Sequence, residues 1–420
     1  MPTQPSAIAP LDRRQRFRAF MKRFNPTASA KVAIGDGLIC SEGGRSIFKK
    51  LAASADLTLG SQQLLVGGIG SGKTTELMLA ERELAGNGNI LPLHIDVSAE
   101  TDLSTVNSGA LLASLGMHLG RVVVSKFNPP EEMSEVYTAV KNAAYGHQTQ
   151  VWVQDFSEPE YDEYDPSDEY EGPGHWQTIR VPGKLKPPFP AVRRDVRDLA
   201  QLVCKLIAFL KDHGKEVVAV FDGLDRLIKA DQFWSVAEQD LRAIRPLEVS
   251  VLAAGPLSVM YGQGRQVKDY FDEVHYLPPA VADPRVSSFL IDILRLRGAE
   301  ELMHPDQMQK LCLASGGVLR DLISLARNAG ENAYLEDADN IEASHVDRAI
   351  EQLGNSYLLG LGTRQKVDLK KLLQGDGFAP SDSTSMELLI TRRVLEQSES
   401  RYEVHPALAA VLSQTSIDSE

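Results

Sequence analysis

A glycine-rich turn between a short apolar run and a helix-like stretch restricts the possible folds of this chain more than any other segment. The apolar run covers residues 64–66, and the helix-like stretch covers residues 76–84. The turn has the spacing Gly-x-x-x-x-Gly-Lys-Thr, which is the phosphate-binding loop pattern. Glycines let successive backbone N–H groups point into one concavity, and the following helix adds the positive end of its dipole. The predicted nucleotide-binding residues are therefore Gly67, Gly68, Gly70, Ser71, Gly72, Lys73, Thr74 and Thr75.

Two side chains of this loop are expected to bind the phosphates and the metal ion of a nucleotide. Lys73 is expected to reach the β- and γ-phosphates of a nucleoside triphosphate, and Thr74 is expected to give its hydroxyl to Mg²⁺. A glycine-rich turn that binds nothing is the alternative, but here the lysine–threonine pair stands in register between a strand and a helix. We therefore predict ATP and Mg²⁺ as cofactors and count Lys73 among the catalytic residues.

The composition is that of a globular protein with more than one domain. The chain has 420 residues, of which 43% are hydrophobic and 24% are charged. No run approaches the ~20 apolar residues that span a bilayer, and the first residues contain no signal-peptide core. The three cysteines are far apart, which favours small buried side chains over metal ligands or disulfides. These features predict a cytoplasmic location and no membrane partner.

Strands and helices alternate after the loop. Residues 90–97, 216–222, 249–255 and 274–279 read as further strands. This alternation predicts an α/β fold, a phosphate-loop NTPase core at residues 36–283 in which helices cover both faces of a parallel sheet. Asp222 ends a buried strand about 150 residues after the loop, where an aspartate would hold Mg²⁺ through water. We therefore predict Thr74 and Asp222 as the metal-side residues and Asp222 as catalytic.

Residues 127–194 interrupt this alternation. Prolines open and close the stretch, and nine acidic residues with no basic one lie between Asp155 and Glu171. Without that run the net charge of −13 becomes about −4, so acidity argues only weakly against nucleic-acid binding by the remainder. Such a composition buries too little apolar surface to order well, and we interpret it as an insertion. A partner-docking arm, a mimic of nucleic-acid charge and a solvated segment without a fixed role are its alternative interpretations.

Three further regions flank the core. Residues 1–35 contain a basic cluster with Phe17, Phe20 and Phe24 at helical spacing. This pattern predicts a helix that docks its aromatic edge and exposes its basic face, with a nucleic-acid or anionic partner as the alternative. Residues 284–358 show four stretches of helical periodicity, which predict a helical lid. Residues 359–420 contain two helix-like stretches followed by a hairpin pattern, which predicts a winged-helix-like domain.

The sheet with its phosphate loop, the lid and the terminal domain resemble the AAA+ ATPases of the origin-recognition and Cdc6 type. Residues 317–331, which begin Gly-Val-Leu-Arg-Asp-Leu, are similar to that family's sensor-2 helix, and residues 341–350 are similar to its next helix. The resemblance implies that Arg320 is the sensor-2 arginine, which reaches the γ-phosphate from the lid. A surface arginine at a helix N-terminus is the alternative.

Two positions depart from that family. Gly223 stands where a catalytic glutamate would follow Asp222, so the pattern instead looks like the STAND ATPases, in which Asp225 would position the attacking water. A helix N-cap or a salt-bridge partner is the alternative role of Asp225. Residues 254–256 are Ala-Gly-Pro, which offer no polar side chain at the sensor-1 position. Because phosphoryl transfer depends on positioning, we expect slow hydrolysis. An arginine finger, if one is present, would come from Arg242, Arg245 or Arg265 of a neighbouring subunit, and a surface arginine is the alternative for each.

These features favour an ATP-binding, slowly hydrolysing molecular switch of the AAA+/STAND type that forms a homo-oligomer and regulates, or assembles with, an effector protein. Some bacterial ATPases that are often linked to phage-defence or mobile-element systems are similar to this chain at residues 70–77 and 402–408, which implies an antiviral context. One alternative is an origin-recognition-like ATPase that binds DNA through its terminal domain. Its recognition stretch at 385–390 has no basic residue, whereas phosphate contacts need Lys and Arg. The other alternative is a nucleotide-binding scaffold without turnover.

Overall fold

Five parallel strands form the centre of the molecule. The computed structural model describes residues 12–40, 46–104, 106–145, 196–227, 229–261, 267–285, 287–398 and 401–414. The strands are β1 (Gln62–Val66), β2 (Ile90–Asp96), β3 (Glu216–Asp222), β4 (Ser250–Gly255) and β5 (Glu273–Tyr276). Their order in the sheet is β2-β3-β4-β1-β5, and every pairing is parallel. All five carboxyl ends therefore meet at one edge of the sheet, where the glycine-rich turn follows β1.

Helices cover both faces of this sheet. Side chains of successive strand residues point to opposite faces, and apolar residues at successive positions therefore make both faces apolar. In β1, Leu64 and Val66 join one apolar cluster, whereas Leu65 joins the cluster on the other face. Burial on both faces explains the almost continuous apolar runs of the strands. The helices up to the end of this core are α1 (Arg13–Arg23), α2 (Ala30–Gly35), α3 (Phe48–Leu57), α4 (Lys73–Ala85), α5 (Val97–Glu100), α6 (Ala110–Lys126), α7 (Glu131–Tyr145), α8 (Val196–Asp212) and α9 (Ala230–Ile244).

Helix α7 corrects the predicted start of the insertion at residue 127. Its side chains Met133 and Val140 are buried in the core cluster, and the helix packs on α6 and α8. Residues 131–145 are thus a packed part of the core. The apolar spacing that identifies this helix is present in the sequence, but a proline pair before it and acidic residues in its first turn mask the pattern. Residues 146–195, which include the acidic run, lie outside the described residues.

Four helices form the lid, and α1 docks on it. Phe17, Phe20 and Phe24 are buried in the apolar cluster of the lid, which confirms the predicted docking of the aromatic edge. The basic side is less solvated than predicted, since Arg13 donates to the carbonyls of Tyr334 and Ala338 and Arg23 pairs with Glu301. The lid helices are α10 (Phe289–Leu296), α11 (Pro305–Ala314), α12 (Leu319–Leu335) and α13 (Ala343–Leu358).

The C-terminal unit consists of two helices, an antiparallel hairpin and a final helix. These elements are α14 (Thr363–Leu373), α15 (Ser383–Ile390), β6 (Val394–Ser398), β7 (Arg401–Val404) and α16 (Pro406–Leu412). Helix α16 packs on α13, where a Cβ on Gly354 would collide with the backbone of Ala407. The predicted fold class is confirmed: a parallel sheet between helices, a helical lid and a C-terminal winged-helix-like unit. Within the described ranges, no helix has the length and apolar character to span a bilayer.

Candidate nucleotide-binding site

The turn after β1 has the backbone of an anion-binding loop. Gly70 and Gly72 adopt left-handed conformations with φ of 80° and 104°, which glycine enters without steric cost. A Cβ on Gly67 would lie 2.6 Å from the carbonyl oxygen of Leu277. Helix α4 begins at Lys73 directly after these glycines, so its unsatisfied N–H groups and its positive dipole end face the loop. The loop can therefore receive phosphate oxygens, as its sequence predicts.

The side chain of Lys73 lies over this loop and is 3% exposed. Its Nζ atom donates to the carbonyl oxygens of Gly67 and Gly68 at 2.8 and 3.0 Å, and it pairs with Asp225 Oδ2 at 2.9 Å. The salt-bridge alternative for Asp225 is thus present in the structure. The pair also brings Asp225 to the loop, where a water-positioning base would have to lie. Phosphate oxygens entering the loop would compete with this carboxylate for Lys73.

Thr74 and Asp222 meet at the edge between α4 and β3. The Thr74 hydroxyl donates to Asp222 Oδ1 at 3.2 Å, and the Gly223 N–H donates to the same oxygen at 2.8 Å. Burial raises the pKa of Asp222, and these two hydrogen bonds offset only part of the rise. A hydroxyl and a carboxylate are oxygen ligands of the kind that Mg²⁺ prefers, and Mg²⁺ usually takes its remaining ligands from phosphates and water. The two residues therefore fit a magnesium-bound triphosphate.

His94 is a neighbour of Asp222 that sequence reasoning missed. It lies on β2, with Nε2 3.9 Å from Asp222 Oδ2 and Nδ1 3.3 Å from Glu81 Oε2. Burial acts to lower the pKa of His94, but Glu81, Asp222 and Asp96 outweigh it and raise this pKa. A cationic imidazole would balance the buried carboxylate of Asp222. The sequence shows only a histidine inside an apolar strand, which is no specific signal.

Gly223 occupies a crowded position in a left-handed conformation. Its φ is 82°, and a Cβ there would lie 2.8 Å from Asp96 Oδ1 and 2.8 Å from Ser98 Oγ. Asp96 ends β2 beside Asp222 and caps the short helix α5 through the N–H groups of Ser98 and Ala99. The sequence has no glutamate at this position, in contrast to the ATPases of the origin-recognition and Cdc6 type that the chain resembles. The structure adds the reason that a side chain does not fit there.

Arg320 is the second residue of α12 and lies against the tip of the loop. A Cβ on Gly70 would lie 2.9 Å from the Cβ of Arg320. Burial lowers the pKa of the Arg320 guanidinium, and the positive charge of Arg392 lowers it further, while Asp321 and Asp225 act in the opposite direction. The lid arginine thus lies beside the phosphate loop, as the sensor-2 resemblance implies. Its contact with a γ-phosphate stays a prediction.

The arginine-finger candidates are engaged within their own chain or lie outside the described residues. Arg245 donates to Asp272 at 3.1 Å and to Gln62, the first residue of β1, at 3.2 Å. Arg242 donates to the hydroxyl of Tyr270 at 3.1 Å. Both lie toward the amino-terminal edge of the sheet, away from the loop of their own chain. Arg265 belongs to the part of the chain that the structure does not describe.

The C-terminal unit closes the site on one side, which the sequence did not predict. A narrow cleft separates the loop from this unit, and its walls include Gly68, Ile69, Ser71, Leu389, Arg392 and Leu395. Arg392 lies in the turn between α15 and β6, with a left-handed φ of 64°. Its Nη1 atom pairs with Asp321 of the lid at 2.8 Å. A residue far along the chain therefore borders the predicted phosphate site.

This chain is similar in fold to several proteins of solved structure. No protein-family model matches the sequence, and no curated protein matches it either. The chain is similar to the Orc1 protein of Aeropyrum pernix in complex with DNA, with 15% identity, a TM-score of 0.45 and coverage of 92% of this chain and 96% of that chain. It is also similar to Cdc6p of Pyrobaculum aerophilum, with 12% identity, a TM-score of 0.40 and coverage of 94% and 97%.

The RuvB Holliday junction branch migration motor of Thermotoga maritima is a third similar structure. Its identity is 14%, its TM-score is 0.40, and the match covers 88% of this chain and 95% of that chain. Proteins of the origin-recognition and Cdc6 type, to which the lid motifs point, are thus among the structures that this chain resembles. The likeness concerns the course of the chain.

Proposed function

We propose that this chain is a nucleotide-driven switch of the AAA+ type that binds ATP with Mg²⁺ and hydrolyses it slowly. The observation that carries the proposal is the convergence of three elements on one loop. Lys73 and Thr74 come from the loop and α4, Asp222 comes from β3, and Arg320 comes from the lid. A phosphate bound in the loop would thus touch both the sheet and the lid, so its loss on hydrolysis would loosen their contact.

The site contains more residues suited to binding ATP than residues suited to hydrolysing it. Lys73 would hold phosphate oxygens, and Thr74 with Asp222 would hold the magnesium ion that balances their charge. Asp225, which lies 2.9 Å from Lys73, is the candidate for positioning the attacking water. No glutamate follows Asp222, and the end of β4 is Ala254 and Gly255. Because positioning groups dominate phosphoryl transfer, we expect a low turnover number.

A binding and turnover experiment tests this proposal. Fluorescent ATP should bind the full-length protein in the presence of Mg²⁺, and Lys73→Ala should abolish the binding. Lys126→Ala removes the same charge from an exposed position at the end of α6 and serves as the matched control. A phosphate-release assay should then detect slow hydrolysis by the wild type. Wild-type affinity in Lys73→Ala would contradict the proposal, and binding without any phosphate release would favour the scaffold alternative.

We further propose that the switch acts through a homo-oligomer and a partner effector protein. Support comes from the arrangement of lid and C-terminal unit around the loop, because nucleotide bound there would change the surface that these two units expose. An antiviral role rests only on the motif resemblance. Size-exclusion chromatography with and without ATP and Mg²⁺ tests the oligomer, and an unchanged size would contradict it.

DNA binding by the C-terminal unit is the second candidate function. The winged-helix-like arrangement of α14, α15 and the hairpin favours it. Two observations weigh against it: α15 carries no Lys or Arg, and it packs toward residues 257–260 of the core. Phosphate contacts supply most of the affinity for DNA and require basic side chains. A shift of labelled duplex at low salt, lost as salt rises, would support DNA binding, and the absence of any shift would exclude it.

A further inference from the structure

Arg392 comes close to the predicted phosphate loop although it belongs to the C-terminal unit. A Cβ on Gly70 would lie 2.9 Å from the Cβ of Arg320 and 3.5 Å from Nη1 of Arg392. One arginine of the lid and one of the C-terminal unit therefore converge on the same glycine at the tip of the loop. The side chain of Arg392 is only 19% exposed, so its guanidinium lies inside the cleft and not on the surface.

A buried carboxylate holds Arg392 in this position. Asp321 is 5% exposed, and its Oδ1 lies 2.8 Å from Nη1 of Arg392. Its other oxygen, Oδ2, accepts a hydrogen bond from the Tyr357 hydroxyl at 2.6 Å and lies 3.2 Å from Nε2 of His405. Asp321 follows Arg320 directly in α12, so the two arginines are linked through adjacent residues of one helix.

The hairpin that follows Arg392 is also fixed to the core. The Tyr276 hydroxyl donates to the backbone carbonyl of Glu396 at 3.3 Å, and the Tyr261 hydroxyl donates to the carboxylate of Glu396. Gln397 donates to the carbonyl of Gly316 at 3.4 Å. These contacts hold β6 between sheet and lid, so Arg392 reaches the loop from a docked position.

The charges around the tip of the loop favour an anion there. Arg226 and Arg392 both lie near enough to Arg320 for their positive charges to act on it, and Lys73 lies in the loop itself. The carboxylates that face them are Asp225, which is bound to Lys73, and Asp321, which is bound to Arg392. Like charges gathered in a partly buried place repel, and an anion between them relieves the repulsion. Guanidinium groups are well suited to phosphate because they offer several N–H donors in one plane.

We propose that Arg392 is a second phosphate-contacting arginine of the nucleotide site, supplied by the C-terminal unit, and that Asp321 is its positioning residue. This inference rests on the proposed nucleotide binding and adds to it. Nucleotide would hold the C-terminal unit directly through Arg392, in addition to holding the lid through Arg320. The position of the C-terminal unit would then depend on the bound nucleotide through this direct contact as well as through the lid.

Titration of full-length protein with fluorescent ATP in the presence of Mg²⁺ tests this role. Arg392→Gln should weaken binding about 10- to 100-fold, which is the loss expected when a charged hydrogen bond to phosphate disappears. Arg392→Lys keeps the charge and should lose less. Arg364→Gln makes the same charge change in the same unit, at a side chain that is 74% exposed, and should bind ATP within about twofold of wild type.

A double variant separates direct contact from a purely structural role. In the Asp321→Asn background Arg392 has lost its ion pair, so a residue that acts only through Asp321 should have no further effect on ATP binding. Because Asp321 positions Arg392, Asp321→Asn alone should weaken ATP binding, and Arg392→Gln should weaken it further in this background by a smaller factor than in the wild type. Melting curves without nucleotide establish that each variant is folded. If Arg392→Gln does not fold, the ATP affinity of Arg392→Lys is compared with that of the wild type instead.

The outcomes distinguish this inference from the proposed function. If the wild type binds ATP and Lys73→Ala does not, the proposed nucleotide site stands. Affinity in Arg392→Gln equal to that of Arg364→Gln would then overturn the inference alone, as would the absence of any further loss in the Asp321→Asn background. If the wild type binds no ATP, the proposed function itself fails.

Discussion

Replacing Gly223 by alanine tests whether this position is constrained by its backbone and its neighbours. The change adds one methyl group to a residue with φ of 82°, between Asp222 and the start of a short 3₁₀ turn. The added Cβ would lie 2.8 Å from Ser98 Oγ and 2.9 Å from Ser98 Cβ. Contacts of this length require Ser98, Asp96 or the backbone of Gly223 to move.

Two costs add up at this site. The left-handed conformation costs a residue other than glycine roughly 1–2 kcal/mol. Overpacking in a tightly packed environment typically costs about 1–3 kcal/mol. We therefore expect Gly223→Ala to destabilise the core by about 2–5 kcal/mol, which corresponds to a fall in melting temperature on the order of 10 °C. Gly223→Glu, which restores the usual acid, should be destabilised at least as much and should not hydrolyse ATP faster.

Gly214 provides the matched control. It precedes β3, has φ of 68°, and a Cβ on it would meet no atom within 4 Å. Gly214→Ala should therefore show the conformational cost alone, about 1–2 kcal/mol. The difference in melting temperature between Gly223→Ala and Gly214→Ala measures the cost of crowding alone. A double variant that combines Gly223→Ala with Ser98→Gly should recover part of the melting temperature lost in Gly223→Ala. Equal melting temperatures for Gly223→Ala and Gly214→Ala would refute the crowding argument, as would faster hydrolysis by a stable Gly223→Glu.

Three further predictions concern buried groups. Burial raises the pKa of Asp240 to about 7, so between pH 4 and 7 the folded state keeps a proton that the unfolded state has released. The free energy of unfolding should therefore fall by ~4 kcal/mol as the pH rises from 4 to 7. Melting curves at several pH values should show a smaller fall for Asp240→Asn. Asp225→Asn leaves Lys73 buried without its ion-pair partner, so the variant should melt at a lower temperature than the wild type. Saturating ATP with Mg²⁺ should restore most of this difference in melting temperature, and an equal difference with and without ATP would contradict the prediction. Phe20→Ala should destabilise the lid by about 3–5 kcal/mol in thermal melts, whereas Leu57→Ala, at a side chain that is 84% exposed, should be nearly neutral.

The parts of the site that could be predicted from the sequence are those in which spacing along the chain encodes the geometry. The loop, its lysine and its threonine lie within eight consecutive residues, so their arrangement follows from local backbone preferences. Asp222 is recognisable because a buried parallel strand ends there. Arg320 is recognisable only through the resemblance of the helix whose first turn contains it, and the structure places that turn at the tip of the loop.

The parts that could not be predicted depend on packing between distant segments. Arg392 follows Gly70 by more than 300 residues, and nothing near it in the sequence indicates a phosphate site. Helix α7 carries apolar residues at helical spacing, but its acidic and proline-rich surroundings favour an insertion over a core element. The pairing of Lys73 with Asp225 joins two motifs that the sequence presents separately. Such contacts depend on tertiary structure, which local propensity does not encode.

The ion pairs around the loop suggest why ATP binding would act as a switch and not only as attachment. Lys73 is paired with Asp225 of the core, and Arg392 is paired with Asp321 of the lid. Each carboxylate keeps a partly buried cation from being left uncompensated, which would be costly. Phosphate oxygens that bind Lys73 or Arg392 must therefore compete with a carboxylate on another element. Binding would thus exchange partners and redistribute the contacts among core, lid and C-terminal unit, whereas a loop with free cations would only add contacts.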